Sequence, residues 1–358
     1  MFKYTMLGLL MAASASHAAG TVNVHNWTDY IADDTLKNFQ ASTGIKPIYT
    51  TFESNEELNG KLLAKGSGYD VVFPSVHFMA QQINAGALKK LDLSQLPNWK
   101  NLNPVLLKAL RVNDPGNTHG FPYLWGSTGI GYDREQIVAV LGENPPVNSW
   151  DLLFKPEYLK KVAQCGVAII DNAPEMLPIA LNYLNLPPHS DVPADYAKAE
   201  ALLTSVRPYV RYFHLNNYIR DLAAGKICVA VGFSGDIDQA QDIAEKAGHK
   251  DILYSVPMEG APMWFDMVAM PVDAPNEKAA YAYMNYLLRP EVIAAITNQM
   301  HYANGNEKAD ALIVREVWSD KTVYPDDETI SRMFVLEPVN PEIDALRNQI
   351  WDRIKNLK

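Results

Sequence analysis

Strand-like and helix-like segments alternate along this chain of 358 residues. Runs rich in β-branched and aromatic residues predict strands at Val22–Asn26, Ile45–Phe52, Tyr69–Phe73, Val167–Asp171 and Ile227–Phe233. Helical spacing and end signals predict helices from Asp33 or Asp34 to Gly44, and at Asn55–Lys65, Met79–Ala85, Trp150–Ala163, Pro193–Val206, Glu277–Leu288, Glu291–Met300 and Pro341–Lys358. Strands that alternate with helices are typical of parallel βαβ units, so the sequence predicts an α/β fold.

The length of the chain favours two domains. A domain usually holds about 100–200 residues, and this chain has 358. No run of Gly, Ser or Pro marks a flexible linker between two halves. We therefore expect two lobes joined by short, ordered crossings of the chain.

The first residues have the parts of a secretory signal peptide. Lys3 supplies the positive charge, Met6–Ala13 is a short apolar run, and Ser16-His17-Ala18 is a cleavage site of small residues. The run is far shorter than the roughly 20 apolar residues that cross a bilayer, although an N-terminal membrane anchor is the alternative. We expect residues 1–18 to be removed and the mature protein to be exported and not embedded in a membrane.

The net charge limits the classes of partner. The chain has 41 Asp and Glu against 31 Lys and Arg, a formal charge of −10. An acidic surface disfavours nucleic acid and favours cationic ligands.

Cys165 and Cys228 are the two cysteines of the chain. In an exported protein such a pair predicts one disulfide, which would tie together two segments of one domain. The alternative is a pair of buried free thiols.

Three short segments place an aromatic ring just before an aspartate. They are Trp27-Thr28-Asp29, Phe233-Ser234-Gly235-Asp236 and Trp264-Phe265-Asp266. An aromatic face attracts a cation, and a carboxylate pairs with an ammonium through charge and hydrogen bonds. Together the three segments predict a site for an organic amine with more than one positive end. The spacing alone is weak evidence, because Trp318-Ser319-Asp320 has it in a segment that we expect at the surface.

Sequence motifs of enzymes and metal sites are missing. Gly232-Phe233-Ser234-Gly235 lacks the spacing of a nucleophile elbow, and the glycines of residues 126–131 do not form a dinucleotide fingerprint. The eight His show no metal-ligand spacing. We expect no catalysis, no metal and no cofactor.

Several segments, in order along the chain, resemble periplasmic polyamine-binding proteins of ABC transporters. They are His25-Asn26-Trp27-Thr28-Asp29-Tyr30-Ile31, Asp70-Val71-Val72-Phe73-Pro74-Ser75, Pro174-Glu175 with Asn182-Tyr183-Leu184, Val231-Gly232-Phe233-Ser234-Gly235-Asp236, and Trp264-Phe265-Asp266-Met267-Val268-Ala269-Met270-Pro271. The resemblance runs through nearly the whole mature chain. It is nearest to the putrescine-binding branch, including the positions of both cysteines.

This resemblance implies a fold and a function. The fold would be a bilobed periplasmic binding protein of type II, with two α/β lobes joined by a hinge of strand crossings. Residues 19–124 and 255–302 would form lobe 1, and residues 125–254 and 303–358 would form lobe 2. The lobes would close on a polyamine, and the closed form, a monomer, would deliver it to an inner-membrane ABC permease.

The resemblance also implies a set of ligand-binding residues from both lobes. They are Trp27, Thr28, Asp29, Tyr30, Ser75, Trp264, Asp266 and Tyr302, with Glu175, Phe233 and Asp236 from the second lobe. For several of these a purely structural role is open. Asp29 and Ser75 could cap helices, Glu175 and Asp236 could be acids in the first turn of a helix, and the rings could belong to the core.

The sequence departs from the family at the positions that set ligand length. Phe233 stands where the family usually has Trp, and Trp264 is typical of the spermidine-binding branch. His77 and Asn172 match neither branch. The preference among putrescine, cadaverine, spermidine and spermine is therefore open. Another cationic amine, a role in polyamine sensing, and an extracytoplasmic enzyme that acts on amines are the alternatives.

Overall fold

The predicted alternation of strands and helices is present in the computed structural model of the protein, which describes residues 20–249 and 251–357. The predicted signal peptide lies outside the described residues. The strands are β1 Thr21–Trp27, β2 Lys46–Phe52, β3 Val71–Val72, β4 Gly120–Asp133, β5 Val167–Ile169, β6 Tyr212–Phe213, β7 Val229–Phe233, β8 Ile252–Ser255, β9 Pro262–Ala269, β10 Ala303–Asn304 and β11 Phe334–Val335. They join in the order β2-β1-β3-β9-β4-β7-β5-β6, with β10 and β8 on β4 and β11 on β9.

Helices cover much of the remaining chain. They are α1 Thr35–Thr43, α2 Asn55–Leu63, α3 Val76–Asn84, α4 Pro104–Ala109, α5 Arg134–Leu141, α6 Asp151–Phe154, α7 Pro156–Val162, α8 Ala173–Tyr183, α9 Pro193–Val206, α10 Asn217–Ala223, α11 Ser234–Lys246, α12 Glu277–Leu287, α13 Pro290–Met300, α14 Arg315–Ser319, α15 Asp327–Arg332 and α16 Pro341–Asn356. In the part of the chain that the structure describes, no helix is long and apolar enough to cross a membrane.

The local sequence explains where several elements begin and end. Helix α1 follows Asp34 and stops at Gly44, whose φ of 73° suits a residue without a Cβ. The predicted helix of residues 150–163 is divided at Lys155, which is extended because it precedes Pro156. The predicted strand of residues 69–73 is shorter than expected and keeps only β3.

Strand β4 is the longest strand and belongs to two halves of the sheet. Its residues 120–127 pair with β9, and its residues 128–133 pair with β7 and β8 on either side. Parallel pairs flank it on both sides, β2-β1-β3 in one half and β7-β5-β6 in the other. The expected α/β class is confirmed.

Buried side chains form two separate clusters, here called the first core and the second core. The first core includes Phe39, Phe73 and Phe265 and draws on residues 22–125 and 263–336. The second core includes Trp150 and Val231 and draws on residues 130–261 and 343–354. The chain therefore passes between the cores three times.

The third passage differs from the predicted division of the chain. The resemblance assigns residues from 303 onward to lobe 2, whereas buried residues up to Leu336, including Ile313 and Val323, pack in the first core. Strand pairing accounts for both ends of this segment, because β10 pairs with β4 and β11 pairs with β9. The cores describe packing, and the bounds of the lobes themselves stay a prediction.

The expected disulfide between Cys165 and Cys228 is confirmed. Each cysteine stands just before a strand, β5 and β7, and these two strands are parallel neighbours. Their Cα atoms are 5.5 Å apart, and the bond closes a loop with a sequence separation of 63. The alternative of two free thiols is thereby excluded.

We predict that replacing both cysteines by Ala lowers the free energy of unfolding by about 2–4 kcal/mol, because the unfolded chain regains the entropy of that loop. Urea unfolding monitored by circular dichroism measures the change. Wild-type protein treated with a reductant is the matched control and should unfold at the same urea concentration as the variant. Equal stability of the oxidised wild type and the variant would contradict the prediction.

Candidate functional site

Most of the predicted site residues meet at the seam between the two cores. Asp266 and Trp264 lie on β9, Ser75 precedes α3, and Tyr302 follows α13, all on the side of the first core. Phe233 at the end of β7 packs against both cores. Asp236 on α11 and Glu175 on α8 approach from the side of the second core. The seam therefore brings together acids from distant parts of the chain.

Asp266 is buried, with 6% of its surface exposed, and a hydroxyl donor holds it in place. The Ser75 Oγ donates to Asp266 Oδ1 over 2.7 Å. Ser75 occupies the N-cap position of α3, but its side chain makes no capping bond, so its hydrogen bond serves the carboxylate instead. Asn55 in turn fixes Ser75, because it donates to the Ser75 Oγ and accepts from the Ser75 amide.

Asp236 stands in the first turn of α11 and receives two phenol hydrogen bonds. The Tyr218 hydroxyl donates to its Oδ2 over 2.5 Å, and the Tyr302 hydroxyl donates to its Oδ1 over 3.1 Å. Tyr218 belongs to the second core and Tyr302 to the first. One carboxylate therefore links the two cores.

Glu175 is the third buried acid, and its position in the first turn of α8 was one of its expected structural roles. Only 3% of its surface is exposed, and its Oε2 has no hydrogen-bond partner among the described residues. Burial, together with the nearby charge of Asp266, raises its pKa to about 8. A helix acid that served only the dipole would not need such burial.

Burial also raises the pKa of the two aspartates. The pKa of Asp266 rises to about 6, although the Ser75 hydrogen bond opposes the shift. The pKa of Asp236 rises to about 6 as well, against the hydrogen bonds from Tyr218 and Tyr302. Hydroxyl donors stabilise a carboxylate but do not neutralise it, so the negative charge of the two aspartates is unbalanced, and Glu175, with its pKa of about 8, is mostly protonated at pH 7 until a cation favours its ionised form.

Aromatic rings from both cores pack edge to face against one another near Asp236 and Asp266. Trp264 lies 5.5 Å from Phe233 and 5.2 Å from Tyr302, measured between ring centroids. Tyr302 lies 5.8 Å from Tyr30. The rings thus connect the two cores in a continuous wall beside the carboxylates.

Close approach of these rings depends on glycines. A Cβ on Gly235 would stand 2.4 Å from the Tyr302 ring, and a Cβ on Gly126 would stand 2.7 Å from the Trp264 ring. No side chain fits at such distances. Gly235 and Gly126 are therefore part of the architecture of the site.

The structure does not gather every predicted residue at the acids. Thr28 and Asp29 are exposed in the turn after β1. Asp29 is not a helix cap, since Asp34 holds that position, and its φ of 51° is left-handed. Trp27 is half-buried against Phe52, and its indole nitrogen has no hydrogen-bond partner in the described part of the chain.

His77 and Asn172 have buried polar atoms without partners among the described residues. Burial, together with the nearby charges of Arg347 and His189, lowers the pKa of His77 to about 3. His77 is therefore a neutral side chain.

Sequence reasoning missed Tyr218 and Asn55. Tyr218 supplies the shortest contact to Asp236, and Asn55 supports Ser75. Neither residue lies in one of the aromatic and acidic segments. The sequence signal for Tyr218 is indirect and lies at Gly232. A Cβ at position 232 would overlap the Tyr218 ring, so the glycine leaves room for it.

A surface cavity of the protein lies apart from the candidate site. A surface cavity of about 520 Å³ is lined by residues such as Asn182, Tyr183 and Glu259. It contains none of the three buried acids.

Known proteins resemble the chain over nearly its whole length. The family of bacterial extracellular solute-binding proteins matches residues 34–325. A putrescine-binding periplasmic protein of Pseudomonas aeruginosa is 47% identical, over 100% of this chain and 99% of its own length. A putrescine-binding periplasmic protein of Escherichia coli is 46% identical, over 98% of this chain and 96% of its own length.

A solved structure has the same fold. The spermidine/putrescine ABC transporter substrate-binding protein of Streptococcus pneumoniae aligns with a TM-score of 0.79 and 29% identity, over 94% of this chain and 99% of that chain. The expected bilobed, type II arrangement is confirmed. The chain belongs to the family of bacterial extracellular solute-binding proteins.

Proposed function

We propose that this protein is a periplasmic receptor that captures a polyamine between two lobes and delivers it to an ABC permease, without catalysing a reaction. The observation that carries the proposal is the group of buried acids at the seam. Asp266, Asp236 and Glu175 come from both cores, and aromatic rings wall them. The names of relatives as putrescine-binding periplasmic proteins support it.

A dication explains why acids from two cores are buried together. Three carboxylates with few counter-charges repel one another, and their desolvation is costly. A diammonium ligand offsets both costs, and it does so only when the two sides are close together. The ligand therefore has a higher affinity for the closed arrangement, which is what ligand-driven closure requires.

We assign different parts of the ligand to different side chains of the site. Asp236 and Asp266 grip one ammonium, while Trp264, Phe233 and Tyr302 line the methylene chain. Glu175 neutralises the other ammonium, through a water molecule. Asp29 adds its charge from the exposed turn after β1, where solvent screens it.

Putrescine is the first candidate ligand, because relatives with 47% and 46% identity are named for it. Spermidine is the second candidate, because Trp264 resembles the spermidine-binding branch at this position. A different cationic amine with a carboxylate would need a basic partner at the acids. Ser75, Tyr218 and Tyr302 supply hydroxyls there instead.

Calorimetry with putrescine, cadaverine, spermidine and spermine tests the proposal. We expect at least one of them to bind with micromolar or tighter affinity, about 8 kcal/mol. Failure of all four would exclude polyamine binding. Loss of labelled polyamine uptake after deletion of the gene would separate transport from sensing.

We predict that Asp266→Asn and Asp236→Asn each weaken putrescine binding at least about tenfold, because an amide keeps the shape but removes the charge that offsets the ammonium. Titration calorimetry measures the affinity. Asp352→Asn is the matched control, since its carboxylate is 73% exposed on α16 and should bind like the wild type. Normal affinity in both site variants would show that the amine binds elsewhere.

We also predict that binding releases protons and weakens on acidification. The pKa of Glu175 is about 8 and those of Asp236 and Asp266 are about 6, and a dication favours the ionised form of each. Affinity should therefore fall as pH drops from 8 to 5, by about tenfold per pH unit where one proton is released. Calorimetry in two buffers with different heats of ionisation counts the protons.

Glu175→Gln separates the contribution of the glutamate in that experiment. Gln cannot titrate, so the variant should release fewer protons than the wild type at pH 7.5. The dependence near pH 6, which comes from the two aspartates, should remain. Equal proton release by the variant and the wild type at pH 7.5 would contradict the assignment of Glu175.

A further inference from the structure

A second acid–base pair crosses between the two cores beside the candidate site. The His301 Nδ1 contacts the Asp238 Oδ2. His301 directly follows α13, whose Ile293 and Ile296 pack in the first core, and Asp238 lies on α11, whose Ile237 and Ala240 pack in the second. This pair is an ionic contact between the halves of the molecule when His301 is protonated.

The pair adjoins the residues that hold the candidate site. Tyr302, which donates to Asp236, is the next residue after His301, and Asp236 lies two residues before Asp238. The two contacts thus run side by side between the same two segments.

His301 has a backbone conformation that is unusual for a histidine. His301 has φ 55° and ψ 37°, a left-handed conformation that favours glycine, and its amide bonds to the Thr297 carbonyl over 2.9 Å to end α13. A histidine here is more strained than a glycine would be. What the histidine adds is the contact with Asp238.

The charged groups that act on His301 are all carboxylates: Asp238 and Asp242 on α11, and Asp320 at the end of α14. The hydrogen bond to Asp238 is the largest effect, and it raises the pKa of His301 above its usual value. Contact between the cores therefore favours the protonated form of His301 more than separation of the cores does.

We propose that His301 is a positioning residue for ligand binding, whose imidazolium bridges to Asp238 and thereby holds the Tyr302 hydroxyl on Asp236. This inference rests on the proposed polyamine-binding function. It assigns to His301 a contribution to affinity although it does not touch the ligand. The contribution exists only while the imidazole carries its proton.

The sign of the pH effect distinguishes this pair from the buried acids. The arrangement with the cores in contact binds the His301 proton more tightly than one with the pair separated, so closing takes up a proton in the pH range above about 6.5. Raising the pH through that range removes the bridge and weakens binding. The acids have the opposite effect, because their ionisation strengthens binding.

The test is the ratio of putrescine dissociation constants for His301→Asn and for the wild type, measured by calorimetry from pH 6.0 to 8.5. Asn tolerates the left-handed backbone but cannot carry the charge. We expect the variant to bind about 2–5-fold more weakly at pH 6.0, and we expect the ratio to approach one at pH 8.5. The acids contribute equally to both proteins, so they cancel in the ratio.

Two further variants keep the test decisive. Asp238→Asn should give the same pH-dependent ratio, and the double variant should bind no more weakly than either single variant, because both remove one interaction. His119→Asn is the matched control. His119 pairs with Asp114 over 3.0 Å on the side of the first core, so its replacement should leave the pH profile unchanged.

The results distinguish failure of the role of His301 from failure of the proposed function. A ratio that is constant with pH, or additive losses in the double variant, would overturn the role of His301 and leave the polyamine receptor in place. Absence of binding by the wild type would overturn the proposed function, and the role of His301 with it. Thermal unfolding of each variant confirms that it is folded before its affinity is compared.

Discussion

The candidate site depends on the burial of three acids at the seam between the two cores. Asp236, Asp266 and Glu175 are removed from water. In the described chain the two aspartates accept from hydroxyls and not from cations, and the Glu175 Oε2 has no hydrogen-bond partner. A hydroxyl satisfies a lone pair but leaves the charge in place. The raised pKa values express this cost. Buried acids with raised pKa values destabilise the protein unless a ligand offsets their charge. The same burial that makes the acids unfavourable therefore makes the site bind a cation.

The topology of the sheet explains how acids from both cores come together at the seam. Strand β4 runs through both halves, so the end of one core and the start of the other are fixed by a single continuous segment. The acids come from elements on either side of that segment: β9 for Asp266, α11 for Asp236 and α8 for Glu175. Because the chain passes between the cores three times, the two sides share few covalent connections, and contacts at the seam decide how they approach each other.

Local sequence patterns predicted most of the strands and helices and two of the three acids. The features that they missed depend on contacts between residues that are distant in the sequence. The spacing of apolar residues located α9 and α13, and the acids Asp236 and Asp266 stood next to rings in the sequence, which made the site visible. Tyr218 carried no such local mark, since its partner Asp236 is 18 residues away. The resemblance assigns residues 303–358 to lobe 2, and that division stays a prediction. The buried side chains of residues 303–336 pack in the first core, where β10 pairs with β4 and β11 pairs with β9, contacts that no local pattern encodes.

The His301–Asp238 pair shows why the contacts between the cores must be weak. His301 is 31% exposed and Asp238 is 11% exposed, and ion pairs that solvent reaches stabilise by about 0.2–1 kcal/mol. A stronger pair would close the cleft without a ligand and prevent capture. A ligand that binds with micromolar affinity contributes about 8 kcal/mol, far more than the pair. The ligand therefore decides whether the cleft closes, while the pair adjusts the geometry in which Tyr302 meets Asp236.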